Sequence, residues 1–357
     1  MCNEQKFDFI CNRAFKEVEL KENGDITPCC PIFTNFYTFG NIFNDDIENI
    51  MNSERAKEFR RSIINKEYTY CNTDKCIGAN AIADKELAEY VIDDGTALKY
   101  SEVFSFGHDR CCNLLCVFCR DHNWMNSEEE VSRLNSMIDS HFIPLLRDTK
   151  IVKMLASGEV FASRHGRLLV KTITRTLPKI KFNIVSNGVL FDKKNCEDLG
   201  LIGKLNQVTI SVHSASKKVY DKLIRNGNYE KVWANIEWLN SLKASGNLEL
   251  LDLVFTITHL NYQEMAIFAK RAVSLGIEFK FFEYRKEEGK FSEQYEEAAV
   301  WLKTNKRHKK FLKVISDPVF DSPLCHLSEN IKAIRNEYIN NMNFIQRFFR
   351  KWVKNDL

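Results

Sequence analysis

Between Val103 and Phe282 the chain repeats one theme: a short, almost continuously apolar run, followed by a stretch with helical spacing. The runs are Val103–Phe106, Ile151–Leu155, Phe182–Val185, Val208–Val212, Leu250–Ile257 and Ile277–Phe282. They are rich in β-branched and aromatic residues, as strands buried on both faces must be. Helical spacing appears in Val131/Leu134/Ile138/Phe142, Val232/Ile236/Leu239 and Met265/Phe268/Ala272, the last stopped by Gly276. This alternation predicts an α/β fold whose parallel strands are joined by right-handed crossovers. Its six units fall short of the eight that close a full barrel. Functional residues are therefore expected at the C-terminal ends of the strands.

Cysteine placement supplies the chemistry. The chain holds 12 cysteines in 357 residues, and its 44% hydrophobic and 28% charged residues exclude a disordered chain. Met1–Lys6 is polar with no apolar region behind it, and Asp252 interrupts the best apolar run. A reducing cytoplasm is the expected compartment, where cysteines serve metal or redox chemistry rather than bridges. Cys11, Cys29, Cys30, Cys71 and Cys76 form one group, and Cys111, Cys112, Cys116 and Cys119 a tighter one. In the tighter group Cys112, Cys116 and Cys119 follow a C-x3-C-x2-C spacing with Phe118 before the last. Three such thiolates suit three irons of a [4Fe-4S] cube and leave the fourth iron open to an exchangeable ligand. A zinc knuckle completed by His108 or His122, or reduced core cysteines, would use the same residues.

Just after an apolar strand, this motif resembles that of the radical S-adenosylmethionine (radical SAM) superfamily. The resemblance implies a partial (β/α)6 TIM-like barrel and a [4Fe-4S] cluster on Cys112, Cys116 and Cys119. It also implies S-adenosylmethionine (SAM) on the open iron, cleaved by one electron to a 5′-deoxyadenosyl radical. The strand ends carry further likenesses. Ser157-Gly158-Glu159 is similar to the family's Gly-Gly-Glu, with serine in place of the first glycine, and Glu159 would take the SAM amino group. Ser186-Asn187-Gly188 resembles the Thr-Asn-Gly turn found there. Ser211-Val212-His213 stands where many relatives have Ser-x-Asp, and Ser211 would contact SAM. Arg225 stands where relatives pair an arginine with the SAM carboxylate. Each taken alone is ordinary turn or surface chemistry.

The first 80 residues have a separate logic. Two short strands flank Asn23-Gly24, a strong hairpin signal, and lead into Pro28-Cys29-Cys30, Gly40-Asn41-Ile42 and Cys71-x4-Cys76. That order resembles the SPASM/twitch auxiliary-cluster modules of peptide-modifying radical SAM enzymes. By that analogy Cys11, Cys29 (in preference to Cys30), Cys71 and Cys76 would close a second [4Fe-4S] cluster with no open iron. A zinc ribbon would use the same four thiolates. Here the module precedes the barrel, whereas in most relatives it follows, and its five cysteines set a ceiling of one auxiliary cluster.

The expected layout is a small N-terminal Cys-rich α+β module (1–80), a linker (81–100), the partial barrel (101–290) and a helical, basic extension (291–357). Lys303–Lys313 and Lys332–Lys354 each hold six basic residues, with one acid between them, in a chain whose net charge is only +3. Solvated helix faces account for that asymmetry, and no nucleic-acid partner is expected. The tail Phe344/Ile345/Phe348/Phe349/Trp352 with Arg347, Arg350 and Lys351 forms a basic aromatic helix, expected to pack on the barrel in preference to a membrane. Cys196 reads as a half-buried thiol, and Cys325-His326 as ordinary residues with a remote claim to a hydrogen donor's role at the barrel mouth. The leading reading is a radical SAM enzyme that abstracts hydrogen from an unactivated carbon of a peptide or protein. A sugar or small metabolite is the alternative substrate, and a flavodoxin or ferredoxin is the implied electron donor. A zinc-binding interaction protein is the rival from another class.

Overall fold

The computed structural model describes residues 7–74, 76, 80–120, 122–155, 157–285 and 294–342. Cys2 and the tail from Phe344 to Trp352 lie outside them. The first strands are β1 (Glu17–Lys21), β2 (Asp25–Pro28), β3 (Gly40–Asn41), β4 (Val103–Gly107), β5 (Leu115–Cys116) and β6 (Ile151–Met154). There follow β7 (Lys181–Ser186), β8 (Leu205–Ser211), β9 (Ile224–Arg225), β10 (Leu248–Ile257), β11 (Glu278–Glu283) and β12 (Cys325–Leu327). The chain divides into two compact units, one of residues 1–111, 125–184 and 199–204, the other of 112–124, 185–198 and 205–357.

In the first unit β4, β6 and β7 are parallel neighbours, as the apolar runs predict. The hairpin forms as expected, with Gly24 at φ +88° in the turn. Its first strand does more than close a small module, because β1 pairs in parallel with β4, Val18 beside Phe104. The N-terminal segment therefore extends the barrel strands, and hydrophobic pattern explains the register. Val18, Phe104, Val152 and Phe182 lie in one buried row across four strands. A one-residue slip would turn every one of them to the other face. That other face carries Glu19, Ser105, Lys153 and Asn183 in the next row. Residues 81–100 hold a short helix, Asp84–Leu87, and bury Ile82, Tyr90, Val91, Ala97 and Tyr100.

The second unit repeats the alternation. β8, β10, β11 and β12 run parallel in that spatial order. Val208, Ile210, Leu251, Leu253, Phe255, Phe279 and Phe281 are fully buried. The helix Tyr229–Ala244 packs on β10 and the helix Met265–Ser274 on β11. Gly276, at φ +65°, ends the second of these helices as the sequence indicates. The opposite strand faces are polar: Asp252, which broke the apolar run, accepts from Gln207 Nε2 at 2.7 Å and Thr209 Oγ1 at 3.0 Å and meets Lys280 Nζ at 3.1 Å.

Three expectations change. The extension contains a strand, β12, besides the helices Tyr295–Ala298, His308–Ile315 and Glu329–Asn340. Cys325 opens β12 opposite Phe279, near the start of β11, so it sits at the N-terminal end of these strands and away from the end where a hydrogen donor would act. Cys196 is fully buried rather than half-buried. With those corrections the strand–helix alternation is the α/β architecture expected of a partial (β/α)6 TIM-like barrel.

Candidate functional site: two cysteine sites

The loop bearing Cys112, Cys116 and Cys119 is fastened at several points within the second unit. Cys112 N–H donates to Trp124 O at 3.0 Å, Val117 N–H to Leu223 O at 2.9 Å and Cys119 N–H to Cys116 O at 3.0 Å. β5 and β9 pair antiparallel, Leu115 beside Arg225 and Cys116 beside Ile224. Arg225 is therefore held against the cysteine loop by backbone pairing, with its side chain exposed. Asn187, at the C-terminal end of β7, donates its Nδ2 to Asn113 Oδ1 at 3.0 Å and toward Cys112 Sγ at 3.9 Å. Ser186 Oγ accepts from Gly188 N–H at 3.0 Å, and Gly188 at φ +79° makes the turn that presents Asn187. Ser211 closes β8 two residues before His213.

Exposure is graded along the loop: Cys112 and Cys116 are half-buried and Cys119 is exposed. Burial pushes the Cys116 thiol upward, and the neighbouring Cys119 and Cys112 add to it, so three thiolates here need a cationic partner. Arg120 supplies part of that, its own pKa raised by the adjacent Cys119, Cys112 and Cys116 against the effect of burial. Phe118 packs its ring edge-on against His213, 4.9 Å between centroids. His213, named in the sequence only as a departure from Ser-x-Asp, has a structural job that its spacing did not reveal. At φ +64° it turns back so that Nδ1 accepts from Thr256 N–H at 3.0 Å, and burial holds its pKa down at about 3.

Ser157, Gly158 and Glu159 follow β6 in the first unit. Glu159 is 1% exposed, and its N–H donates to Cys111 O at 2.6 Å. A Cβ on Gly158 would lie 2.6 Å from the carbonyl oxygens of both Asp109 and Cys111, so only glycine permits this approach. Cys111, which the sequence left without a role, is the residue on which this turn closes, and its buried Sγ accepts from Asn126 N–H at 3.1 Å. Glu159 lines a cavity of about 310 Å³ with His108, Asp109 and Ser163. His108 Nε2 meets His165 Nε2 at 2.8 Å.

The N-terminal cysteines converge on one pocket. Cys11, Cys29, Cys71 and Cys76 line it, with Arg13, Phe33, Phe59 and Tyr68 among its walls. Cys30 is half-buried and is not among the residues lining it. The left-handed backbone at Cys29, φ +56°, separates the adjacent thiols. Burial, then the nearness of Cys11, Cys29 and Cys76, pushes Cys71 up to about 12. Burial likewise takes Cys29 to about 12. Thiols raised in this way favour a group that brings positive charge into the pocket. Four thiols lining one pocket are the donor set that a [4Fe-4S] cube takes, one at each corner, and that a structural zinc takes as well.

Comparison with known proteins agrees in both regions. Residues 11–77 match the SPASM iron-sulfur cluster-binding domain, and residues 108–272 match the radical SAM superfamily. Among curated proteins the chain is 24% identical over 184 residues to molybdenum cofactor biosynthesis protein moc-5 of Caenorhabditis elegans, covering 48% of this chain and 28% of that one. It is 25% identical over 173 residues to the GTP 3',8-cyclase of Desulforamulus reducens, covering 48% of this chain and 52% of the relative. The chain thus spans about half or less of the curated relatives it matches. Among solved structures, anSMEcpe with bound AdoMet is 16% identical with a TM-score of 0.37, covering 61% of this chain and 58% of that one. Methylornithine synthase (PylB) is 10% identical with a TM-score of 0.32, covering 49% and 51%. Radical SAM proteins use a [4Fe-4S] cluster with SAM, and the SPASM domain adds an auxiliary iron-sulfur cluster. The chain thus carries a radical SAM superfamily domain over residues 108–272, preceded by a SPASM iron-sulfur cluster-binding domain over residues 11–77.

Proposed function

We propose that Cys112, Cys116 and Cys119 hold the SAM-cleaving [4Fe-4S] cluster and that the enzyme removes a hydrogen atom from an unactivated carbon of a small polar metabolite. The observation that carries this is the cysteine loop, fastened by Asn187 and β9 yet open at Cys119. When bound, the cluster and SAM supply a 5′-deoxyadenosyl radical, which is competent for such a C–H bond. The chain's own residues bind and orient. Glu159 accepts from the SAM ammonium, Gly158 and Ser157 shape the turn that presents it, and Arg225 pairs with the SAM carboxylate. Ser186 and Asn187 hold the turn after β7, Ser211 offers a hydroxyl at the end of β8, and Phe118 supplies an apolar wall. Cys11, Cys29, Cys71 and Cys76 hold the auxiliary cluster, and residues 1–80, 101–290 and 291–357 act as module, barrel and extension around the 81–100 segment.

Two observations support a small polar substrate: the polar strand faces, with Glu19 and Lys153 in one unit and Gln207, Asp252 and Lys280 in the other, and the names of the two curated relatives. A peptide is the second reading, favoured by the SPASM domain, since modules of this type accompany peptide modification. An electron donor such as flavodoxin or ferredoxin completes the reaction. A reducing, cytoplasmic setting suits the eleven free cysteines of the described residues, among which no helix is long and apolar enough to cross a membrane. The test is anaerobic incubation of deuterated candidates with SAM and reductant, followed by mass analysis of 5′-deoxyadenosine. Deuterium from a labelled metabolite is the expected result. Transfer from labelled peptides alone would replace the metabolite reading, and no 5′-deoxyadenosine under any condition would overturn the proposal.

A further inference from the structure

Beside the N-terminal pocket lies a buried donor with nothing to donate to. Arg13 lines that pocket with the four thiols, and Arg13 Nε is buried without a hydrogen-bond partner. Leaving a buried donor unmade is costly, more so when the group is charged. The guanidinium is not free to turn elsewhere. Its Nη2 donates to Glu17 Oε2 at 2.8 Å, and its planar fork then fixes where Nε–H points. The Phe33 ring, 5.7 Å away, braces the same group. Glu17 is itself pinned, because Lys153 Nζ lies 3.4 Å from the same oxygen and Cys29 N–H donates to Glu17 O at 3.3 Å. The order Lys153, Glu17, Arg13, cavity is therefore a chain of alternating charge that starts on the polar face of β6 and ends among the cysteines.

We infer that Arg13 donates its Nε–H to a sulfur of the auxiliary cluster and sets that cluster's reduction potential, with Glu17 and Lys153 as the positioning residues that hold it. The inference rests on reading Cys11, Cys29, Cys71 and Cys76 as the ligands. Hydrogen bonds to sulfur and nearby positive charge stabilise the reduced, more negative cluster and so raise its potential. Each link makes a signed contribution: loss of Arg13 lowers the potential, whereas loss of the Glu17 charge frees Arg13's field and raises it. Lys153 is one step further away, and its loss lowers the potential by less.

The experiment uses the full chain with Cys112, Cys116 and Cys119 changed to alanine, so that one cluster remains, titrated with dithionite and read by EPR. Arg13→Gln is expected to lower the reduced-to-oxidised ratio at fixed potential about tenfold, a shift of about 59 mV for a one-electron couple. Glu17→Gln is expected to raise that ratio, and Arg13→Lys to recover part of the loss because it keeps the charge without the fixed N–H. Unchanged potentials in both Arg13→Gln and Glu17→Gln, or shifts of the same sign, would overturn the inference while leaving the cluster in place. If Arg13→Gln fails to retain iron, the sign of the Glu17→Gln shift decides. The parent of these variants should hold about four irons per chain; a parent without iron would overturn the ligand reading, and this inference with it.

Discussion

The two cysteine sites are built in opposite ways. The N-terminal four come from positions 65 residues apart, Cys11 to Cys76, and line one pocket, with Cys11 and Cys29 buried and Cys71 and Cys76 half-buried. The other three lie within eight consecutive residues, on a loop whose last cysteine is exposed. Four thiols would leave no iron of a cube free and suit a group whose electrons are tuned by its walls. A loop with three thiols, backed by strand pairing and open at Cys119, suits a group that must admit an exchangeable ligand. The number of thiols is therefore the difference that separates electron handling from chemistry.

Breaking the sites one at a time tests that division, and the largest effect is expected first. Cys116→Ala should bring 5′-deoxyadenosine formation down to background while leaving the auxiliary iron. Cys71→Ala should remove about half of the iron but retain SAM cleavage uncoupled from substrate. The comparison breaks if Cys71→Ala is as dead as Cys116→Ala with its loop cluster intact by EPR.

Glu159→Gln tests the proposed contact to SAM. A buried, charge-assisted hydrogen bond contributes about 1.5–3 kcal/mol, so half-saturation by SAM should need roughly 10- to 100-fold more ligand. Isothermal titration of the cluster-loaded protein measures it, and an unchanged affinity would remove Glu159 from the SAM site. Asn187→Ala has a smaller reach. It loses the tether to Asn113, about 1 kcal/mol, and iron should leave the loop cluster roughly fivefold faster under a chelator. The auxiliary cluster should decay at the wild-type rate.

The smallest effect concerns pH. Burial lowers His108 to about 3, with His165 adding to it, and burial lowers His165 to about 4. These folded-state values lie below the unfolded value of about 6.5, so the unfolded chain binds more protons across that interval. Stability is fully present above pH ~6.5 and declines as pH falls toward 4. Urea titrations at several pH values should show that slope, and a His108→Leu/His165→Leu variant should show a shallower one whatever its absolute stability.

The parallel strands were legible because buried parallel strands leave nearly continuous apolar runs, whereas the polar second face of those strands was not, since the runs were read as buried on both sides. Both cysteine groups were legible because thiol spacing is a strong local signal. Three features were hidden for one shared reason: they depend on what lies across the sheet. Nothing local says that Glu17–Lys21 joins β4 in parallel, so the N-terminal hairpin reads as a separate module. Cys325 looked close to the barrel mouth until its register with Phe279 placed it at the other end of the strands. Arg13 carries no motif, and its unsatisfied Nε becomes visible only once Glu17 has fixed the guanidinium.

The central claim is that three cysteines on one loop carry the chemistry. Reduced protein, purified without oxygen and given SAM, should form 5′-deoxyadenosine, and the variant with Cys112, Cys116 and Cys119 all changed to alanine should form none above background. Equal 5′-deoxyadenosine from that variant would contradict the assignment directly.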